Sequence, residues 1–337
     1  MPPYLMISNR DRTGDALGSS LGSLAFYSAD GATDPQTLKQ LSAWTKLTRA
    51  AFIATLKQIA DAFPQLSEAD HELQQHICLF VHGYNSSWQD SVDDYLEIKQ
   101  HLIEGGALGQ LVLFSWPSKG SVAGYLPDRE DARACAPDLA QLFVDLNDYL
   151  VGRQRLAAKT NDPEKLCRAK ISVLAHSMGN YVMQEALVAA SKRLNDPQLL
   201  SLINQFVMVA ADVDNDLFQR DKPVDSDGSL MANLCYRIAA LYSGLDAVLG
   251  MSAGLKHFGT RRLGRSGLAD RSNVWDNVFD FDVTPYINTE GEIHSAVFDS
   301  PPAEAIVRCI LRGVDRNYIA QGVAPYPQPP VAEPLPA

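Results

Sequence analysis

A chain of 337 residues, 46% of them hydrophobic and 20% charged, is long enough to bury a sizeable core, and its composition is that of a globular protein rather than a disordered or fibrous one. A formal net charge of −11, with no basic run interleaved with aromatics, argues against nucleic acid as a partner. The five cysteines, Cys78, Cys135, Cys167, Cys235 and Cys309, fall in no CxxC spacing, so neither a zinc site nor a disulfide framework is expected.

The opening residues lack a basic start followed by a sustained apolar run, so no secretory signal is read there. No apolar run reaches the roughly 18 residues of a spanning helix. Cytoplasmic residence without integral membrane association is the resulting expectation, with the oligomeric state left open.

In chain order, residues 4–8 and 23–27 read as an opening pair of strands. Asp34 then caps a long segment with Leu38, Leu41, Trp44, Leu47, Phe52, Leu56, Ile59 and Phe63 at three- to five-residue spacings, which predicts an amphipathic helical insertion over 34–70. Residues 77–81 form a buried strand, and Ser87 with Asp90 makes a capping box for the next helix. Residues 111–116 are another strand, followed by a Gly- and Pro-containing loop and a helix bearing Leu139, Leu142, Phe143, Leu146 and Leu150. Strand 171–175 leads into helix 178–194, and strands follow at 206–210, 238–242 and 278–283. The last alternates Phe279, Phe281 and Val283 with Asp280 and Asp282, which places it near a sheet edge. Pro301 and Pro302 open a closing helix, and a proline-rich tail over 323–337 is expected to be extended or disordered. Such alternation predicts a single α/β domain over 1–322 with a mostly parallel sheet of about eight strands flanked by helices.

A serine becomes a useful nucleophile on a tight strand-to-helix turn, beside a base and flanked by small residues. The pattern G-x-S-x-G, with Ala allowed first, occurs around Ser20, Ser177 and Ser252. Only Ser177, in Ala175-His176-Ser177-Met178-Gly179, directly follows a continuous apolar strand and directly opens a helix. The base and acid should follow on loops after later strands. Of the two histidines beyond Ser177, His257 lies in a Gly- and Arg-rich stretch, whereas His294 lies just after the last strand and is preferred. Asp246, four residues past Tyr242, is the preferred acid; Asp212 and Asp214, after the previous strand, are the alternative. The backbone N–H groups of Met178 and Tyr84 are the candidate oxyanion donors, with His82 and Gly83 letting the chain approach closely.

Together Val81-His82-Gly83-Tyr84-Asn85, Phe114-Ser115-Trp116-Pro117-Ser118, Leu174-Ala175-His176-Ser177-Met178-Gly179-Asn180 and Tyr242-Ser243-Gly244-Leu245-Asp246 resemble bacterial α/β-hydrolases of an esterase- or lipase-like subfamily. Ile7-Ser8-Asn9-Arg10 extends the likeness. The resemblance implies an α/β-hydrolase fold and acyl hydrolysis by Ser177, Asp246 and His294 but no particular substrate; a small-molecule or lipid-like acyl ester is the expected partner, with no metal or organic cofactor required. Acyl transfer or thioester cleavage with the same residues, and a noncatalytic binding role, stay open as alternatives. Asp128 and Arg129 read as a rim salt bridge, and Arg261, Arg262 and Arg265 as an exposed basic loop. Trp116, Tyr84 and Tyr125 read as core or rim packing, and residues 214–234 as either a lid or a plain connection.

Overall fold

The computed structural model describes residues 2–64, 73–105, 107–119, 124–194, 201–253 and 259–320. Strands β1 (Tyr4–Thr13) and β2 (Ala16–Ala29) form an antiparallel hairpin, and β3 (Thr45–Leu47) pairs antiparallel with β2. Strands β4 (His76–Val81), β5 (Gly109–Ser115), β6 (Lys170–His176), β7 (Ile203–Val209), β8 (Cys235–Tyr242) and β9 (Val278–Asp282) run parallel, and β5 pairs parallel with β1. The described strands make one nine-stranded sheet in the order β3-β2-β1-β5-β4-β6-β7-β8-β9, with β9 at an edge.

Period-two alternation divides the core between the two faces of this sheet. Val173 and Ala175 of β6, Phe206 and Met208 of β7, and Ile238 and Ala240 of β8 join one cluster, with α3 (Tyr125–Thr160) and α4 (Gly179–Leu194) packed over it. Leu174, Val207, Val209, Ala239 and Leu241 face the opposite way, into a cluster closed by α2 (Trp88–Ile98) and α8 (Pro301–Leu311). Strands buried on both faces read as the continuous apolar runs seen in the sequence. The capping box at α2 is present, Ser87 and Asp90 each accepting from the other's backbone N–H.

The expected helical insertion over 34–70 is broken into pieces. Asp34 caps only a 3-10 turn, Pro35–Lys39, a second turn spans Leu41–Ala43, and β3 follows before α1 (Arg49–Ala62), which Thr48 caps. Leu38, Leu41 and Trp44 pack into the second cluster, whereas Phe52 packs into the first. The chain therefore rounds the sheet edge between them, which a continuous helix cannot do, and the rung it leaves on that edge is β3. That rung makes the strand count nine rather than eight. Residues 65–72, the proline-rich tail over 323–337, and His257 lie outside the described residues. The 214–234 segment carries α5 (Asp227–Leu234), which is tied to α4 by Gln184 Nε2 donating to Asp227 at 2.8 Å.

Candidate active site

The carboxyl ends of β4, β6 and β8 converge with the loop after β9 on one group of side chains. Ser177 follows β6 directly and has φ 52°, a left-handed conformation that a strand-to-helix reversal in so few residues demands. Its N–H donates to Val209 O at 3.0 Å, and Asn180 Nδ2 donates to the carbonyls of Ala175 (3.1 Å), Ser177 (3.1 Å) and Val209 (3.3 Å). Asn180 thus ties the turn to two strands, a role its place in the motif did not disclose. At Gly179 an added Cβ would lie 2.4 Å from Val81 O, so only glycine lets the turn approach β4 this closely. Ala175, where a stricter pattern has glycine, is fully buried in the core.

His294, on the loop between β9 and α8, brings Nε2 within 2.7 Å of Ser177 Oγ and Nδ1 within 2.7 Å of Asp246 Oδ2. Asp246 caps α6 (Ala247–Met251): its Oδ1 accepts from Leu249 N at 2.9 Å, leaving Oδ2 for the imidazole. Asp246 can only accept from Nδ1–H, so the Nε2 lone pair faces the serine hydroxyl. The histidine loop is itself held. Glu292 accepts from the N–H of His294 (2.8 Å) and of Ser295 (3.0 Å), and His176 Nε2–H donates to His294 O at 3.1 Å. Burial alone would lower the His294 pKa; the hydrogen bond and charge of Asp246, with Glu292 and Asp212 adding, outweigh it and leave it raised. Burial takes His176 the other way, to about 3, so it stays neutral as a donor.

Asp212 and Asp214 lie elsewhere in this arrangement. Asp212 Oδ1 accepts from Arg262 Nε at 2.8 Å and from Ser252 Oγ at 3.0 Å, while Oδ2 accepts from Tyr125 OH at 2.7 Å. Arg262 also reaches Asp214 and the Asp212 carbonyl. The expected exposed basic loop is corrected here: Arg262 is 0% exposed and Arg265 donates to the Asp246 carbonyl, because the Asp212 carboxylate draws the first guanidinium inward and that carbonyl oxygen the second. Only Arg261 of the three is exposed. Ser252, the rejected elbow serine, is a buried partner of Asp212, and Ser20 lies exposed on β2.

Gly83 brings the loop after β4 against Ser177, where an added Cβ would lie 3.0 Å from Ser177 Cβ and 3.6 Å from its Oγ. Tyr84 follows, its ring edge-on to Tyr125 at 5.5 Å, and Met178 follows Ser177 in the buried turn. Asp128 holds this rim through hydrogen bonds rather than the expected salt bridge to Arg129. It accepts from Ser118 Oγ (2.5 Å), Lys119 N (2.8 Å) and Asn85 N (3.5 Å), while the Arg129 guanidinium lies 3.6 Å over the Tyr181 ring. Trp116 is fully buried core.

Among the described residues no cluster of three or more His, Cys, Asp or Glu is placed to hold a metal ion, and no helix is long and apolar enough to cross a membrane. No curated protein matches the chain. Solved structures similar to it include Aspergillus fumigatus lipase B, at 14% identity over 75% of this chain and 59% of that one, with a TM-score of 0.35. Legionella pneumophila phospholipase PlaB is similar at 13% identity over 74% of this chain and 62% of that one, with a TM-score of 0.37. The chain spans less than two thirds of the length of either protein. The profile of the family described as "Alpha/beta hydrolase of unknown function (DUF900)" matches residues 62–307, and with its largely parallel sheet flanked by helices the chain belongs to that family of α/β-hydrolases.

Proposed function

We propose that the protein is a serine hydrolase that cleaves carboxylic ester bonds of small-molecule or lipid-like substrates through an acyl-enzyme on Ser177. The observation that carries this reading is the line of two 2.7 Å contacts, Ser177 Oγ to His294 Nε2 and His294 Nδ1 to Asp246, on a left-handed elbow beside a close-approaching glycine. In the proposed reaction Ser177 Oγ bonds to the acyl carbon as His294 Nε2 takes the hydroxyl proton, and Asp246 stabilises the imidazolium. The N–H groups of Met178 and Tyr84 receive the developing oxyanion. Collapse of the tetrahedral intermediate breaks the bond to the alcohol, which leaves with the proton from His294. Water, deprotonated by the same histidine, then releases the acid and restores the serine.

The test compares wild type with Ser177→Ala on p-nitrophenyl esters of increasing acyl length, after circular dichroism has matched their folds. Loss of kcat by about 10⁵–10⁶ is expected in the variant. A fluorophosphonate probe should label wild type and leave the variant unmarked. A wild type that turns over no ester and takes up no probe would overturn the reading and favour a binding role.

A further inference from the structure

The loop that follows β4 is gripped from its buried side by an imidazole. His82 is 0% exposed and stacks on the Trp116 ring, with centroids 5.3 Å apart and planes 7° apart. The Trp116 backbone N–H points at His82 Nε2 from 3.1 Å, and Arg10 Nη2 lies 3.3 Å from the same atom. A peptide N–H and a guanidinium can only donate, so Nε2 carries the lone pair and Nδ1 the proton. Nδ1–H then donates to Gly83 O at 2.8 Å. Burial, with the Arg10 charge adding, pushes the imidazole pKa far below its ordinary value, so it stays neutral in this one tautomer. Trp116 supplies a second grip, its Nε1–H donating to the His82 carbonyl at 2.8 Å.

Two successive carbonyls, those of His82 and Gly83, are therefore pinned toward the His82–Trp116 pair. Across a trans peptide the carbonyl and the following N–H point in opposite directions, and the described chain contains no cis bond. Holding Gly83 O thus sets the direction of the Tyr84 N–H beside Ser177. Arg10 reaches this point from β1, 3% exposed and with no carboxylate in ion-pair contact among the described residues. Its fork donates to Ser115 Oγ (2.9 Å), Gly18 O (3.1 Å) and Ser86 O (2.9 Å), so one side chain ties the hairpin, β5 and the far end of the oxyanion loop together.

We propose that His82 and Arg10 are positioning residues for the oxyanion loop: Arg10 and the Trp116 N–H lock His82 as its Nδ1–H tautomer, which holds Gly83 O and aims the Tyr84 N–H at the reacting carbonyl oxygen. The proposal rests on the hydrolase reading above.

Asparagine can place an amide N–H near the position of Nδ1, whereas glutamine places its amide near Nε2 and leaves Gly83 O unheld. In His82→Gln kcat is expected to fall by about 10²–10³-fold, with KM changed less than about twofold, and fluorophosphonate labelling of Ser177 to slow in parallel. His82→Asn should recover about tenfold or more of both rates. Equal losses in the two variants, or a folded His82→Gln with wild-type kcat, would overturn the proposal in favour of plain packing. Should both His82 variants fail to fold, Arg10→Lys decides: it keeps the charge but loses the fork, and about a tenfold fall in kcat at constant KM is expected. Wild-type kcat in Arg10→Lys would overturn its role. Wild-type labelling separates this outcome from the parent reading, since an unlabelled wild type overturns the hydrolase proposal itself, whereas a labelled wild type with equally fast variants overturns only the positioning role.

Discussion

Asp212 and Asp246 lie just beyond the carboxyl ends of neighbouring parallel strands, β7 and β8, and each is 1% exposed. By position they are equivalent; by partner they are opposites. Burial pushes the Asp212 pKa up, but the permanent charge of Arg262, the hydrogen bonds from Tyr125 and Ser252 and the charge of Arg129 together outweigh it and hold it below the usual carboxylate range. Asp246 faces His294, whose charge comes and goes with a proton that, in the proposed reaction, is taken from Ser177. Held in direct contact with a guanidinium, Asp212 reaches His294 only through space, as the smallest of the named contributions to its raised pKa. What a buried acid does is therefore decided by the constancy of its counter-charge, not by the strand it follows.

Exchanging each acid for its amide separates these roles. Asp246→Asn should lower kcat by about 10⁴ while leaving the protein folded, because the imidazolium loses its stabiliser and the imidazole its fixed tautomer. Asp212→Asn leaves Arg262 buried beside an amide, and urea unfolding at pH 7.5 should report a loss of about 3–5 kcal/mol with turnover per folded molecule far less affected. The reverse pattern would break the comparison.

Acid titration sharpens it further. The proposed base works unprotonated, and its pKa is raised above 6.5, so kcat/KM should fall toward acid with a midpoint above that value. The raised pKa also means that protonated His294 favours the folded state below its unfolded pKa, an effect lost as pH rises through the folded value. Asp212, with a lowered pKa, contributes stability above an unfolded value of about 4 and loses it only as pH falls through its folded value. The buried neutral imidazoles of His82 and His176, whose pKa values lie below their ordinary value, favour the unfolded chain as pH falls below about 6.5, so the activity limb is to be measured per folded molecule, with circular dichroism at each pH. The smallest effect is expected from Glu292→Gln. Removing that exposed charge should move the acid limb slightly toward lower pH, and an upward move would contradict its part in raising the His294 pKa.

The parallel strands were legible because burial on both faces leaves an unbroken apolar run, as at Val173 and Leu174 or Val207 and Met208. Ser177 was separable from Ser20 and Ser252 by the same strand-then-helix context. The edge of the sheet was not legible, since Leu38, Leu41, Trp44 and Leu47 are spaced as a helix would space them yet serve two different faces. Sequence spacing records periodicity but not a change of side. Nor could it show Arg262 inside the molecule, for a cluster of arginines near the surface and one folded onto buried acids read alike until the acids are placed. Arg10 appeared only as part of a motif; its reach to the loop after β4 depends on β1 pairing with β5, about a hundred residues away.

The β1–β5 pairing also bears on where this protein can be cut. A fragment matched to the family boundaries, 62–307, would discard β1, β2 and β3 and end inside α8. It would leave β5, with Leu111, Leu113 and Phe114, as a bare apolar edge of a truncated sheet, and would strip Ile310 and Leu311 from the layer over the second cluster. An exposed strand of that kind templates association with other chains. Expression boundaries drawn from the family match would therefore be expected to yield aggregates, with the insoluble fraction reporting the missing hairpin rather than any failure of the elbow.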